Sequence, residues 1–168
     1  MTILVLGIGN ILLSDEGIGV RVVEALEQGY SFTPEVDLVD GGTAGMELLD
    51  SIANREQVIL IDAVNTGDAP GTLVTLRDDQ VPAMFRQKIS PHQLGMSDLL
   101  AIMSLTGEMP RHFTLFGVVP VSMDTSLSLT PEIEACREQM VQSCLEELSR
   151  LGVRAEPLSQ PLLKRVVG

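Results

Sequence analysis

Short continuous apolar runs alternate along the chain with stretches of helical spacing. Residues 2–6 are such a run, ending in Gly7-Ile8-Gly9-Asn10, the pattern of a buried parallel strand followed by a tight turn. Ser14 is placed to cap a helix, with Asp15 and Glu16 in a first turn whose dipole favours anions. Ile18, Val22, Ala25 and Leu26 then recur at helical spacing. A second strand is expected over 36–39, ended by Asp40-Gly41-Gly42, and a helix over about 44–53 with Leu48, Leu49 and Ile52 on its buried side. Residues 57–61 form the most apolar run and read as a third strand. This alternation predicts right-handed crossovers and a parallel sheet.

The second half is less regular. Residues 65–71 read as a turn, and 72–76 as a β-branched strand close enough to the third to pair antiparallel with it at a sheet edge. Residues 77–96 have no clear period and are broken by Pro82 and Pro91, leaving room for a short helix near 83–87. Helical spacing resumes over 97–105, and 112–119 reads as a further strand. The last helix is expected over 131–151, with Thr130 as cap and Pro131 in its first turn. Its predicted buried stripe is Ile133, Cys136, Met140, Cys144, Leu148 and Leu151. Pro157 and Pro161 mark 155–168 as a tail, partly disordered, after a single domain over 1–154. The expected fold class is α/β: a three-layer sandwich, with a mostly parallel twisted sheet of about five strands and helices on both faces.

The 168 residues suit one domain. Aromatic residues are 3% and Trp is absent, so the core must be aliphatic. A net charge of −12 repels phosphate backbones and argues against nucleic acid. It serves solubility or attraction to a basic patch on a protein partner. Cys136 and Cys144 lie roughly 12 Å apart along one helix axis, too far for a disulfide, and read as small core residues. The N-terminus lacks a basic n-region and no apolar run could span a bilayer. No membrane insertion and a cytoplasmic location are expected.

Gly7-Ile8-Gly9 begins like a dinucleotide fingerprint, with Asp40 placed like a ribose-binding acid. Leu12 takes the third glycine's place, however, and close strand-to-helix packing explains the glycines better. No Gly-x-Ser-x-Gly elbow occurs, and neither cysteine lies in a loop near a histidine. Three other residues could converge. Glu16 follows the first strand. Asp62 ends the apolar third strand, either capping a turn or facing the crevice at the carboxyl edge of the sheet, where Asp40 also lies. His92 sits in the irregular stretch, whereas His112 reads as a strand-end residue. Glu16, Asp62 and His92 would make a divalent-metal site with an open position. A metal there could polarise a carbonyl or activate water; alternatively, one carboxylate could act as general base.

The run from Gly7 to Gly19 resembles the opening of the nickel–iron hydrogenase maturation endopeptidases. So do Asp40-Gly41-Gly42-Thr43-Ala44-Gly45, Asp62-Ala63, Ile89-Ser90-Pro91-His92-Gln93-Leu94-Gly95, Gly117-Val118-Val119-Pro120 and Leu129-Thr130-Pro131. The resemblance implies an endopeptidase that removes a C-terminal extension from the hydrogenase large-subunit precursor after nickel insertion. It places metal contacts on Glu16, Asp62 and His92, and a further acid needed for processing on Asp40. The nickel would come with the substrate, and loop 78–96 would bring His92 over the substrate tail. A chaperone that senses nickel without hydrolysis is the competing reading, because no nucleophile is recognisable.

Overall fold

The computed structural model of the chain describes residues 2–87 and 93–159. Its main sheet contains β1 (Ile3–Ile8), β3 (Asp37–Gly42), β4 (Gln57–Ala63), β5 (Leu73–Arg77) and β6 (His112–Val118). The strand order is β3-β1-β4-β6-β5. The first four are parallel, and β5 runs antiparallel to β6 at the edge. Helices α1 (Ile18–Gly29), α2 (Leu49–Ile52), α3 (Gln80–Gln87), α4 (Gln93–Thr106) and α5 (Pro131–Arg150) surround it. The expected three-layer α/β sandwich is therefore present.

The alternation of side chains across the sheet builds two cores. Val5, Ile59 and Ile61 pack with Val22, Leu26, Met140, Cys144 and Leu148 beneath α1 and α5. Leu4, Leu6, Leu60 and Leu115 pack with Ile52, Phe85, Leu99 and Met103 on the opposite face. Close packing of α1 requires glycine: a Cβ at Gly7 would strike the carbonyl of Gly19, and one at Gly19 would strike that of Ile61. Gly7, the first glycine of the Gly7-Ile8-Gly9 run, thus serves helix-to-sheet contact together with Gly19.

Several expectations need correction. The edge strand β5 pairs with β6 rather than β4. Residues 113–118 of β6 are all buried, as a central strand requires, whereas β5 is half-buried or exposed throughout. The helix expected over 44–53 is a 3-10 turn, Met46–Leu48, followed by the single turn of α2. Pro82 lies inside α3, in its first turn, where its missing N–H breaks no helical bond. Together α3 and α4 make most of segment 78–96 helical. Strand β2 (Tyr30–Thr33) was not expected; it pairs antiparallel with β7 (Arg154–Pro157), so the first residues of the expected tail form a strand. Four-residue strands with one exposed face leave too little periodicity to read.

Both cysteines are free. Cys144 is buried, and burial together with the neighbouring Glu147 charge pushes its thiol up to about 12. Cys136 and Leu151 are only half-buried, so the α5 stripe is narrower than predicted at both ends. Among the described residues, no helix is long and apolar enough to cross a membrane.

Candidate active site

The carboxyl ends of β1, β3, β4 and β6 open onto one edge, and the loops leaving them carry the candidate chemistry. After β1, Gly9 takes φ +127° and its N–H donates to Gly42 O at 2.8 Å. The chain then turns back through a 3-10 turn, Ser14–Gly17, which leads into α1. A Cβ at Gly9 would fall onto the carbonyl oxygen of Glu16 and lie 3.7 Å from Asp62 Oδ1. Glycine is required here both for its left-handed backbone and for the space it leaves. The Glu16 backbone carbonyl and the Asp62 carboxylate thus both border Gly9.

Both acids are buried. Asp62 is 0% exposed, and its Oδ1 accepts the Ala63 N–H at 2.8 Å. Its side chain follows the alternation of Val58 and Leu60, away from α1. Burial pushes the Glu16 carboxyl above its ordinary pKa, and a hydrogen bond from the Asn10 backbone draws it partly back. Two desolvated carboxyl side chains, on segments that meet at Gly9, offer oxygen donors of the kind a hard or borderline divalent cation takes.

Asp40 is placed differently. It is exposed, and its Oδ1 accepts the Gly42 N–H at 3.0 Å. It pairs in register with Gly7, whose partner on the other side is Ile61. Strand β1 therefore separates it from β4 by about 10 Å of sheet, and the pleat turns it to the face of Leu38. His92 lies outside the described residues. Among those described, no three His, Cys, Asp or Glu side chains gather as a metal site. His112 begins β6 at the opposite edge, exposed, with Nδ1 3.8 Å from Asp78 Oδ1.

Ser14 is not the expected cap, since its hydroxyl donates to Asp124 O at 2.6 Å. Thr130 does precede α5, but its hydroxyl is turned to Asp15 instead of capping the helix. Asp15 is the residue that the sequence reading missed. It is 0% exposed. Its Oδ2 accepts the N–H groups of Val121 at 2.9 Å and Ser122 at 3.0 Å, and its Oδ1 accepts that of Thr130 at 2.8 Å. The Thr130 hydroxyl lies within 3.0 Å of both oxygens. The turn bearing Glu16 is thereby fastened to segment 119–130. The adjacent acids in Asp15-Glu16 were the available signal, but partners over a hundred residues away in sequence left only the helix-dipole reading. A concavity of about 670 Å³ lies elsewhere, between α5 and β7, lined by Tyr30, Leu145 and Val153; volume alone would misplace the site.

The family model described as hydrogenase maturation protease matches residues 20–147. The chain belongs to the hydrogenase maturation protease family. This makes it a peptidase by family. It is 54% identical over 158 residues to the hydrogenase 2 maturation protease of Escherichia coli strain K12, covering 94% of this chain and 96% of that protein. It is 42% identical to the hydrogenase expression/formation protein HupD of Thiocapsa roseopersicina, over 91% of this chain and 70% of the relative. Among solved structures, the E. coli hydrogenase maturating endopeptidase HybD superposes with a TM-score of 0.91 at 53% identity, covering 95% of this chain and 99% of that one. The resemblance first carried by short motifs thus extends over nearly the whole chain.

Proposed function

We propose that this family member removes a C-terminal extension from the precursor of a nickel–iron hydrogenase large subunit, and that nickel already bound to the precursor is what it recognises. The observation that carries this reading is the burial of Glu16 and Asp62, on segments that meet at Gly9 through the Glu16 backbone carbonyl and the Asp62 carboxylate, in a chain whose family is proteolytic. The four loops at this edge, 9–17, 41–48, 64–72 and 119–130, contain no Lys or Arg. A cation brought by the substrate meets loops whose own charged side chains are all carboxylates.

In this reading Glu16, Asp62 and His92 contact the nickel while precursor cysteines hold it, so cleavage follows metal loading. The metal arrives as part of the substrate. Cleavage adds a water oxygen to the scissile carbonyl carbon and breaks the C–N bond. One buried carboxylate takes the proton from the water and returns it to the departing amine. Asp40, exposed on β3 with β1 between it and β4, is the further acid that would meet the peptide itself. Covalent catalysis by cysteine is disfavoured, because the Cys144 thiol is buried and pushed up to about 12.

Incubating the protein with nickel-loaded precursor and weighing the large subunit by mass spectrometry tests the reading. Loss of a C-terminal peptide is the expected result. An intact C-terminus, with the two proteins bound to one another, would replace the protease by a nickel-sensing chaperone.

A further inference from the structure

Four of the seven large apolar side chains left in solvent among the described residues lie on two neighbouring loops; the other three are Met46, Ile102 and Leu105. Leu12 is 54% exposed and Leu127 63%, and Val121 and Met123 are also exposed. All four lie on the two loops that flank the buried carboxylates at the carboxyl edge of the sheet. These loops are clasped together. Ser126 N–H donates to Leu12 O at 2.9 Å, and Ser14 N–H to Ser126 O at 2.9 Å. Asp15 holds Val121, Ser122 and Thr130 from below, as described above. The apolar residues are thus presented by a fastened segment rather than by a free loop, and Arg21 adds a bond to Leu127 O at 3.1 Å. Apolar side chains fixed in water beside a polar site are the arrangement of an interface core within a polar rim.

We infer that Leu12, Val121, Met123 and Leu127 form the docking surface for the hydrogenase large-subunit precursor, receiving apolar side chains of the polypeptide whose cation-bearing part reaches Glu16 and Asp62. Two observations select this occupant. The surface adjoins the carboxylates, so one polypeptide bound there reaches both. The edge loops themselves carry acids and no Lys or Arg, and Arg21 of α1, which bonds Leu127 O, is paired with Glu24, so a segment that is apolar and metal-bearing is complementary. The inference rests on the proposed function for the partner's identity. Asp15 is a positioning residue within it, because it sets the height of segment 119–130 over the turn that carries Glu16.

Binding is the test, because it is read separately from cleavage. The affinity of the full-length protein for nickel-loaded precursor is measured for the wild type, for the double variant Met123→Ser/Leu127→Ser, and for Leu105→Ser. Leu105 is 88% exposed but sits near the end of α4, at the opposite edge. All the substituted side chains are exposed, so thermal melting is expected to be unchanged. The double variant is expected to bind about tenfold more weakly or worse, while Leu105→Ser binds normally. Equal binding by the double variant and the wild type overturns the docking surface, whether or not the wild type cleaves. Equal losses in the double variant and in Leu105→Ser overturn it as well. Cleavage by the wild type is scored in the same samples; its absence with the binding difference retained removes the protease reading and leaves the surface standing.

Discussion

At the amino edge of the sheet, Glu147 is buried between two arginines, Arg77 at 2.7 Å and Arg150 at 3.3 Å, and Arg77 also reaches the Thr114 hydroxyl at 3.2 Å. At the carboxyl edge, Asp15 is as deeply buried and is held by backbone N–H groups and one hydroxyl. Glu16 and Asp62 take backbone N–H groups too, in loops without a basic residue. The amino edge neutralises its buried acid internally, which serves architecture and contributes little net stability over an apolar replacement. The carboxyl edge surrounds its buried acids with backbone N–H groups and a hydroxyl. One fold therefore holds buried carboxylates in two ways, by arginines at one edge and by backbone donors at the other.

The contrast is open to mutation, and the largest effect is expected at Asp62. Asp62→Ala should lower precursor processing by about a thousandfold or more, consistent with loss of a proton-transfer or charge-stabilising group, while circular dichroism stays native. Processing at wild-type rates would remove Asp62 from the site. Gly9→Ala comes next, because the new methyl group collides with the Glu16 carbonyl. A fall of about a hundredfold is expected from the displaced turn, and an unchanged rate would show that the Glu16–Asp62 spacing is not needed. Asp15→Ala should cost about 3 kcal/mol of stability, read in denaturant unfolding, because several buried N–H donors lose their acceptor.

Arg77→Ala probes the other edge. Arg77 is partly exposed and Arg150 remains beside Glu147, so a loss of only about 1–2 kcal/mol is expected, with processing unchanged at temperatures below the melt. A processing defect in folded Arg77→Ala would erase the division between the edges.

The smallest effect concerns the thiols. A thiol-specific reagent at pH 8 should label half-buried Cys136 and spare Cys144 until the chain unfolds. The Cys144 pKa is raised in the fold. Its contribution to stability is therefore full below the unfolded value, near 8.5, and is lost as pH rises towards about 12. A melting temperature indifferent to pH from 8 to 11 in wild type and Cys144→Ala alike would contradict that burial.

What the sequence made legible follows from range. The parallel strands β1, β4 and β6 announce themselves because both faces are buried, so nearly every position is apolar. Glu16 was legible as an acid in the turn after β1 and Asp62 as an acid at the end of β4, and the parallel topology puts both segments at one edge of the sheet. The placement of β5 beside β6 was hidden, because nothing within residues 72–76 encodes which apolar strand lies next to it. Asp15 was hidden for the same reason, since a hydrogen bond to Thr130 leaves no local trace. Asp40 was read onto the correct edge, but local spacing could not place it across β1 with its carboxylate turned onto Gly42. His92 falls outside the described residues, and its role stands on the motif around it.

The central claim is that the carboxyl edge reads a cation delivered by the substrate. Cleavage of nickel-loaded and nickel-free precursor by the wild-type protein, followed side by side by mass spectrometry of the large subunit, tests it most directly. The account expects the C-terminal peptide to be released from the loaded precursor alone. Equal release from both forms would contradict it.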